Sequence, residues 1–193
     1  MSFARLYERV QTQGERISTR WLTAQAIELS TINKIKEQWS SVLDAASIRG
    51  FYVEGPLGPP VPLKDNEALI VLSRAMCTGL LGDYWRRFVY TKELMHVFDT
   101  DEEKTNTPAQ FDVQIEKFGN PLLPMSPQYM AELKAFWRAI FSLCTKDKRE
   151  ELKARLESEQ ISVDVAATVL QIPPGYMPEL MRTDIMDIFP GLV

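Results

Sequence analysis

The chain has 193 residues, enough for one sizeable core but not comfortably for two full domains. Its 45% apolar and 25% charged residues exclude a largely disordered, collagen-like or disulfide-scaffold protein. A net charge of −4 offers no overall attraction to nucleic acid or anionic membranes, and one histidine with two cysteines cannot by itself supply a site of two imidazoles or a thiolate cluster.

In chain order, Met1 to Gln25 reads as a polar helix without the apolar core of a secretory signal. From Ser18 to Ala46 the apolar residues Trp21, Ala24, Ile27, Ile32, Ile35, Trp39 and Val42 recur mostly at three- and four-residue steps, which predicts an amphipathic helix or helix pair. Gly50 ends that pattern. Phe51-Tyr52-Val53 and Ala68 to Ser73 then read as two short strands that pair across the turn-rich segment Gly55 to Pro60. Leu80 to Phe98 is the most apolar helical stretch, broken only by Arg86-Arg87, which reads as a solvated pair or as partners for carboxylates such as Asp83. A polar turn and a helix over Ala109 to Phe118 follow. Ser126-Pro127 caps a long helix over Gln128 to Cys144, Thr145 to Ser158 is a charged helical face, and shorter helices are expected over Ser162 to Leu170 and Tyr176 to Met186.

These elements predict a mainly helical α+β protein with a small sheet packed on the helix that carries the motif below. No run of about eighteen apolar residues predicts a membrane span, and Cys77 and Cys144, both in apolar surroundings, read as reduced, buried thiols of a cytoplasmic protein. Trp85, Phe88, Phe136, Trp137 and Phe141 read as core. The acidic composition of the last helix argues against nucleic acid as a partner, and no membrane partner is expected.

The chemistry concentrates in Lys92-Glu93-Leu94-Met95-His96, which has the spacing of the zinc-peptidase motif H-E-x-x-H with lysine in the first position. In the intact motif two histidines one helical turn apart bind the metal and the glutamate takes a proton from metal-bound water. Arg86, Phe88, Glu93 and His96 in register, the strand-like run before them, and Glu132, Ala135, Ala139 and Leu143 on the later helix make the chain resemble the ImmA/IrrE-type metallopeptidase family. The resemblance extends from about Ile48 through the prolines of the closing segment Val165 to Tyr176. It implies a zincin-like fold over residues 48–193 behind an N-terminal helical region over residues 1–47, the two forming one compact unit.

The resemblance also implies roles. Glu93 matches the family's general base, His96 its second histidine ligand and Glu132 its acidic third ligand. Lys92 departs from the pattern: a protonated amine has no lone pair for a metal, so a buried ion pair with Glu132 is expected in place of zinc. The leading expectation is a cytoplasmic, bacterial or phage-type regulatory module that binds a protein partner, a pseudoenzyme with no cofactor. The alternatives are a zinc-dependent endopeptidase in which His96, Glu132 and Asp99 or Asp101 hold a weak metal, an enzyme using a deprotonated Lys92 as base or nucleophile, and a structural subunit with a filled pocket.

Overall fold

The run Ala68-Leu69-Ile70-Val71-Leu72 has no polar member, so a strand there must be covered on both faces. The computed structural model, which describes residues 3–14, 16–58, 61–76, 79–104, 126–182 and 192, places it at the centre of a three-stranded sheet. Strand β1 is Lys34–Ser40, β2 is Gly50–Glu54 and β3 is Glu67–Ser73, in the order β1-β3-β2. β1 runs parallel to β3 with Ile35 opposite Ala68 and Trp39 opposite Leu72; β2 runs antiparallel with Tyr52 opposite Ile70. Because strand side chains alternate, Ala68, Ile70 and Leu72 enter the main core while Leu69 and Val71 join Leu63, Leu43, Phe51, Val53 and Val61 in a small second core on the other face.

Helices cover the main-core face. Helix α1 (Phe3–Gln11) buries Phe3, Leu6 and Val10, spaced three and four apart. Helix α2 (Thr19–Leu29) starts at Ser18, whose hydroxyl accepts from the Trp21 N–H at 3.1 Å. Helix α3 (Leu80–Leu94) continues into a 3-10 turn, Met95–Phe98, that is wholly buried. Helix α4 (Pro127–Leu143) is capped by Ser126, accepting from the Tyr129 N–H at 3.1 Å, and has proline in its first turn as expected. It presents Ala131, Ala135 and Ala139 inward, small side chains that permit close approach of α3. Helix α5 (Lys146–Glu157) buries only Leu152 and exposes charged pairs such as Arg155 with Glu151. Helices α6 (Val163–Leu170) and α7 (Met177–Leu180) close the described chain.

β2 lies so near α3 that a side chain is excluded at one point. A Cβ on Gly50 would meet Val89 Cγ1 at 2.9 Å and Val71 O at 3.0 Å. The single main core gathers residues from α1 through α7, and among the described residues no helix is long and apolar enough to cross a membrane.

The structure bears out the α+β class, the β2–β3 pair and helices α3, α4, α5 and α6. It corrects three expectations. The polar helix over Met1 to Gln25 is two helices, joined by Arg9, which donates to Gln25 Oε1 at 2.6 Å and pairs with Glu28 at 2.9 Å. The helix or helix pair over Ser18 to Ala46 ends at Leu29, and Lys34–Ser40 is a strand. A four-residue step such as Ile35 to Trp39 is both about one helical turn and an even number, so it fits period 2 as well as period 3.6, and the parallel pairing with β3 decides. The last helix is the four-residue α7 within the described residues, preceded by a 3-10 turn at Pro174–Tyr176, each with a proline in its first turn. The helix expected over Ala109 to Phe118 and the thiol of Cys77 lie outside the described residues.

Ile70→Ala empties a fully buried position on the central strand and is expected to lower unfolding stability by about 2–5 kcal/mol in urea titrations. Val42→Ala, at a residue 93% exposed, is expected to change it by less than about 0.5 kcal/mol.

Candidate functional site

Lys92 and Glu93 stand in the last turn of α3 and His96 in the 3-10 turn that follows, while Glu132 comes from the first half of α4. Packing of α3 on α4 brings all four side chains together, as their register in the two sequence patterns suggested. The Lys92 ammonium lies 2.5 Å from Glu132 Oε2 and donates to Glu93 Oε1 at 2.9 Å, so the ion pair expected from the sequence is present and bridges two carboxylates. His96 Nε2 faces the same pair, 3.5 Å from Glu132 Oε1 and 3.8 Å from Glu93 Oε2. Its other ring nitrogen, Nδ1, lies 2.6 Å from Asp99 Oδ2, and Asp99 Oδ1 accepts from Arg138 Nη1 at 3.0 Å. Tyr52 of β2 stacks on the imidazole with ring centres 6.0 Å apart, and its hydroxyl donates to Glu54 at 2.9 Å.

Glu93, His96, Asp99 and Arg138 have nearly buried side chains; those of Lys92 and Glu132 keep about a fifth of their surface. Three cations, Lys92, His96 and Arg138, thus meet three carboxylates, Glu93, Glu132 and Asp99. Burial opposes the charge on Lys92, but Glu132 and then Glu93 outweigh it and hold the ammonium above its ordinary pKa. Burial likewise opposes charge on His96, yet Asp99 and then Glu132 push it up to about 9. Both groups are therefore protonated at neutral pH, and the imidazolium donates through Nδ1 to Asp99.

This protonation limits the chemistry. A protonated Lys92 is neither base nor nucleophile, contrary to the enzymatic reading that relied on its losing a proton. Zinc would have to displace the Lys92 ammonium and the proton of His96 before His96, Glu93 and Glu132 could serve as its donors. Asp99 is engaged on both oxygens by His96 and Arg138, and Asp101 turns its side chain fully to solvent beside Lys104, so neither supplies the missing ligand. Among the described residues no three His, Cys, Asp or Glu side chains are grouped to hold a metal ion.

Sequence reasoning missed Arg138 and Tyr52. The signal for the first was an arginine inside the apolar run Ala135-Phe136-Trp137-Arg138-Ala139-Ile140, where burial requires a carboxylate partner; for the second there was none, because only the sheet register aims Tyr52 at His96. Of Arg86-Arg87, the first is exposed and reaches the carboxylate of Glu37 at 3.7 Å while covering Trp39, as expected, whereas Arg87 is half-buried and donates to Ile17 O at 2.7 Å instead of to a carboxylate. Cys144 is a free, buried thiol pushed up to about 12 by burial, hence unreactive. Of the aromatics read as core, Phe88, Trp137 and Phe141 are buried, and Trp85 and Phe136 are half-buried along the α3–α4 groove. Comparison with protein-family models, curated proteins and solved structures gives no match to the chain.

Two measurements check the electrostatics. His96 is raised in the folded state, so its contribution is fully present below the unfolded value near 6.5 and is lost as pH rises through about 9. Unfolding free energy is expected to fall across that window by up to about 3 kcal/mol, and Asp99→Asn is expected to flatten the slope. Glu132→Gln leaves the Lys92 charge with Glu93 alone; denaturant titration is expected to give a loss of about 2–4 kcal/mol, somewhat below that for a fully buried pair because some solvent reaches both groups.

Proposed function

We propose that the chain is a metallopeptidase-like protein of the ImmA/IrrE type in which a lysine charge replaces the metal, and that it acts as a regulatory or protein-interaction module in place of a peptidase. The observation that carries this reading is the Lys92 ammonium, 2.5 Å from Glu132 and 2.9 Å from Glu93. The resemblance assigns the later helix's acid as a metal ligand and the motif glutamate as the base; here both carboxylates face one ammonium, with His96 beside them. Further support comes from the arrangement of the elements: a short sheet, a motif helix ending at the cluster, and a second helix bringing Glu132 to it. In this reading the location is cytoplasmic, the source bacterial or phage-like, and the partner a protein, with neither nucleic acid nor membrane involved.

A second reading is a zinc-dependent endopeptidase with an altered first ligand. One observation favours it: His96 Nε2 is buried without a hydrogen-bond partner and lies 3.5 Å from Glu132, so two potential donors remain adjacent. Metal analysis separates the two. The pseudoenzyme reading expects purified protein to hold less than about a tenth of an equivalent of zinc, and Lys92→His, by restoring H-E-x-x-H before Glu132, to bind about one. Stoichiometric zinc in the unaltered chain, lost in His96→Ala, would establish the endopeptidase reading instead.

A further inference from the structure

Among the described residues, the end of α5, the turn before α6 and the short helix α7 leave a groove of about 500 Å³ between them. Its walls are apolar: Leu156, Ile161, Val163, Met177, Pro178 and Met181. The groove is open to solvent, because Val163 keeps 44% of its surface and Pro178 is exposed with the rim acids Glu157 and Glu159. None of these residues belongs to α3 or α4, so the groove is separate from the Lys92 cluster.

The rim is acidic. Glu157 and Glu159 line it against one cation, Lys153, which lies 3.9 Å from Glu157 and leaves Glu159 unmatched. Glu159 also holds its backbone at φ 56°, in the left-handed region that favours glycine. Its N–H donates to Leu156 O at 3.1 Å and the Gln160 N–H to Arg155 O at 2.9 Å, a helix ending for which glycine would serve. Of the other non-glycine residues in this conformation, Asn66 is of a type that tolerates it and Gln171 uses its side chain to accept from Arg16. Glu159 has neither reason, and its carboxylate has no partner among the described residues. The backbone dipole of α5 places its negative end at the same rim, while the positive end of α6 is offset by Asp164 in its first turn. Of the nearby arginines, Arg155 is engaged by Glu151 and Arg182 stacks on Trp137.

We infer that this groove docks a basic amphipathic helix of a partner protein, its apolar face between α5, α6 and α7 and a lysine or arginine against Glu159. The volume suits a few large side chains from one face of a helix, and Met177 and Met181 supply flexible thioethers that adjust to the shape of the insert. The charge selects the partner: the unmatched carboxylate of Glu159 complements a cation and repels an acidic segment. The inference extends the interaction part of the proposed function and uses no residue of the Lys92 cluster, so the zinc analysis and the experiment below can fail separately.

The test is a titration of the isotope-labelled full chain, followed by amide NMR, with a blocked peptide of two Leu-Lys-Lys-Leu-Leu-Lys-Leu repeats. The other probes are its glutamate-for-lysine counterpart and butylammonium. The net charge of −4 attracts any polycation, so Asp65→Asn, which removes an exposed charge outside the groove, is the control. The expected result is binding of the lysine peptide and not of the glutamate peptide, with shifts centred on Leu156 to Val163 and Met177 to Met181. Val163→Trp, which fills the groove, is expected to weaken binding at least tenfold, and Met181→Ser roughly tenfold; either serves if the other does not fold. Glu159→Gln is expected to weaken it roughly threefold to fivefold and Asp65→Asn to leave it unchanged. Absence of binding up to about millimolar peptide, shifts elsewhere, or equal losses from Glu159→Gln and Asp65→Asn overturn the proposal. Equal binding of the glutamate peptide overturns the basic partner, and displacement by butylammonium at equal amine concentration overturns the helix. A dimer in sedimentation that Val163→Trp dissociates would assign the groove to a second copy of the chain instead.

Discussion

The ammonium of Lys92 is the constraint on which the centre of this structure depends. It belongs to α3, and its closer partner, Glu132, belongs to α4, so it ties the two helices that form the middle of the core. It also satisfies Glu93, a nearly buried acid that would otherwise confront Glu132 across the groove. An apolar side chain at position 92 would leave two carboxylates and no nearby cation except the imidazolium. The cost of such uncompensated charge exceeds the modest net gain of the pair itself, so a cation is needed here more for what its loss would leave behind than for what its presence contributes.

From that point the cluster extends in a definite order. Glu132 and Glu93 hold Lys92, His96 lies against both acids, Asp99 fixes the other edge of the imidazole, and Arg138 closes the line on α4, six residues beyond Glu132. The cluster thus begins and ends on the same helix, with α3 and its 3-10 extension between. Tyr52 covers the ring from the sheet side, and this contact depends on β2 lying close enough to α3 to exclude a side chain at Gly50. Sheet, helix pair and ionic cluster are one packing problem: displacing β2 would uncover His96, and solvent admitted there would weaken each pair by raising the local dielectric.

Local signals carried much of this. The caps at Ser18, Ser126, Thr145 and Ser162 mark helix starts because a hydroxyl satisfies an amide that the helix cannot. The register of Lys92, Glu93 and His96 on one helix, and of Glu132 with Ala135 and Ala139 on another, was readable as two faces because helical spacing fixes which side chains share a side. What escaped depends on distant partners. Strand β1, with lysines alternating against Ile35 and Trp39, becomes a strand through parallel pairing with residues some thirty positions away. Arg87 looked solvated because its acceptor is a backbone carbonyl in a loop seventy residues earlier, and Arg138 was missed because its partner, Asp99, lies thirty-nine residues before it.

Asp99 and Glu132 raise the pKa of His96 against the opposing charge of Lys92, and a charge count for the site considered as an altered zinc centre shows why one lysine is not enough. A divalent metal, a neutral histidine and two glutamates sum to zero charge. Removing the metal alone would leave two buried negative charges. One lysine repays only one of them, and the remaining charge is supplied by the proton that His96 retains up to about pH 9. Lys92 and protonated His96 together therefore reproduce the charge that one zinc ion would supply, against the same two acids, while Asp99 and Arg138 cancel each other. This balance makes Glu93, His96 and Glu132 electrostatically necessary beside Lys92, whether or not any of them takes part in chemistry.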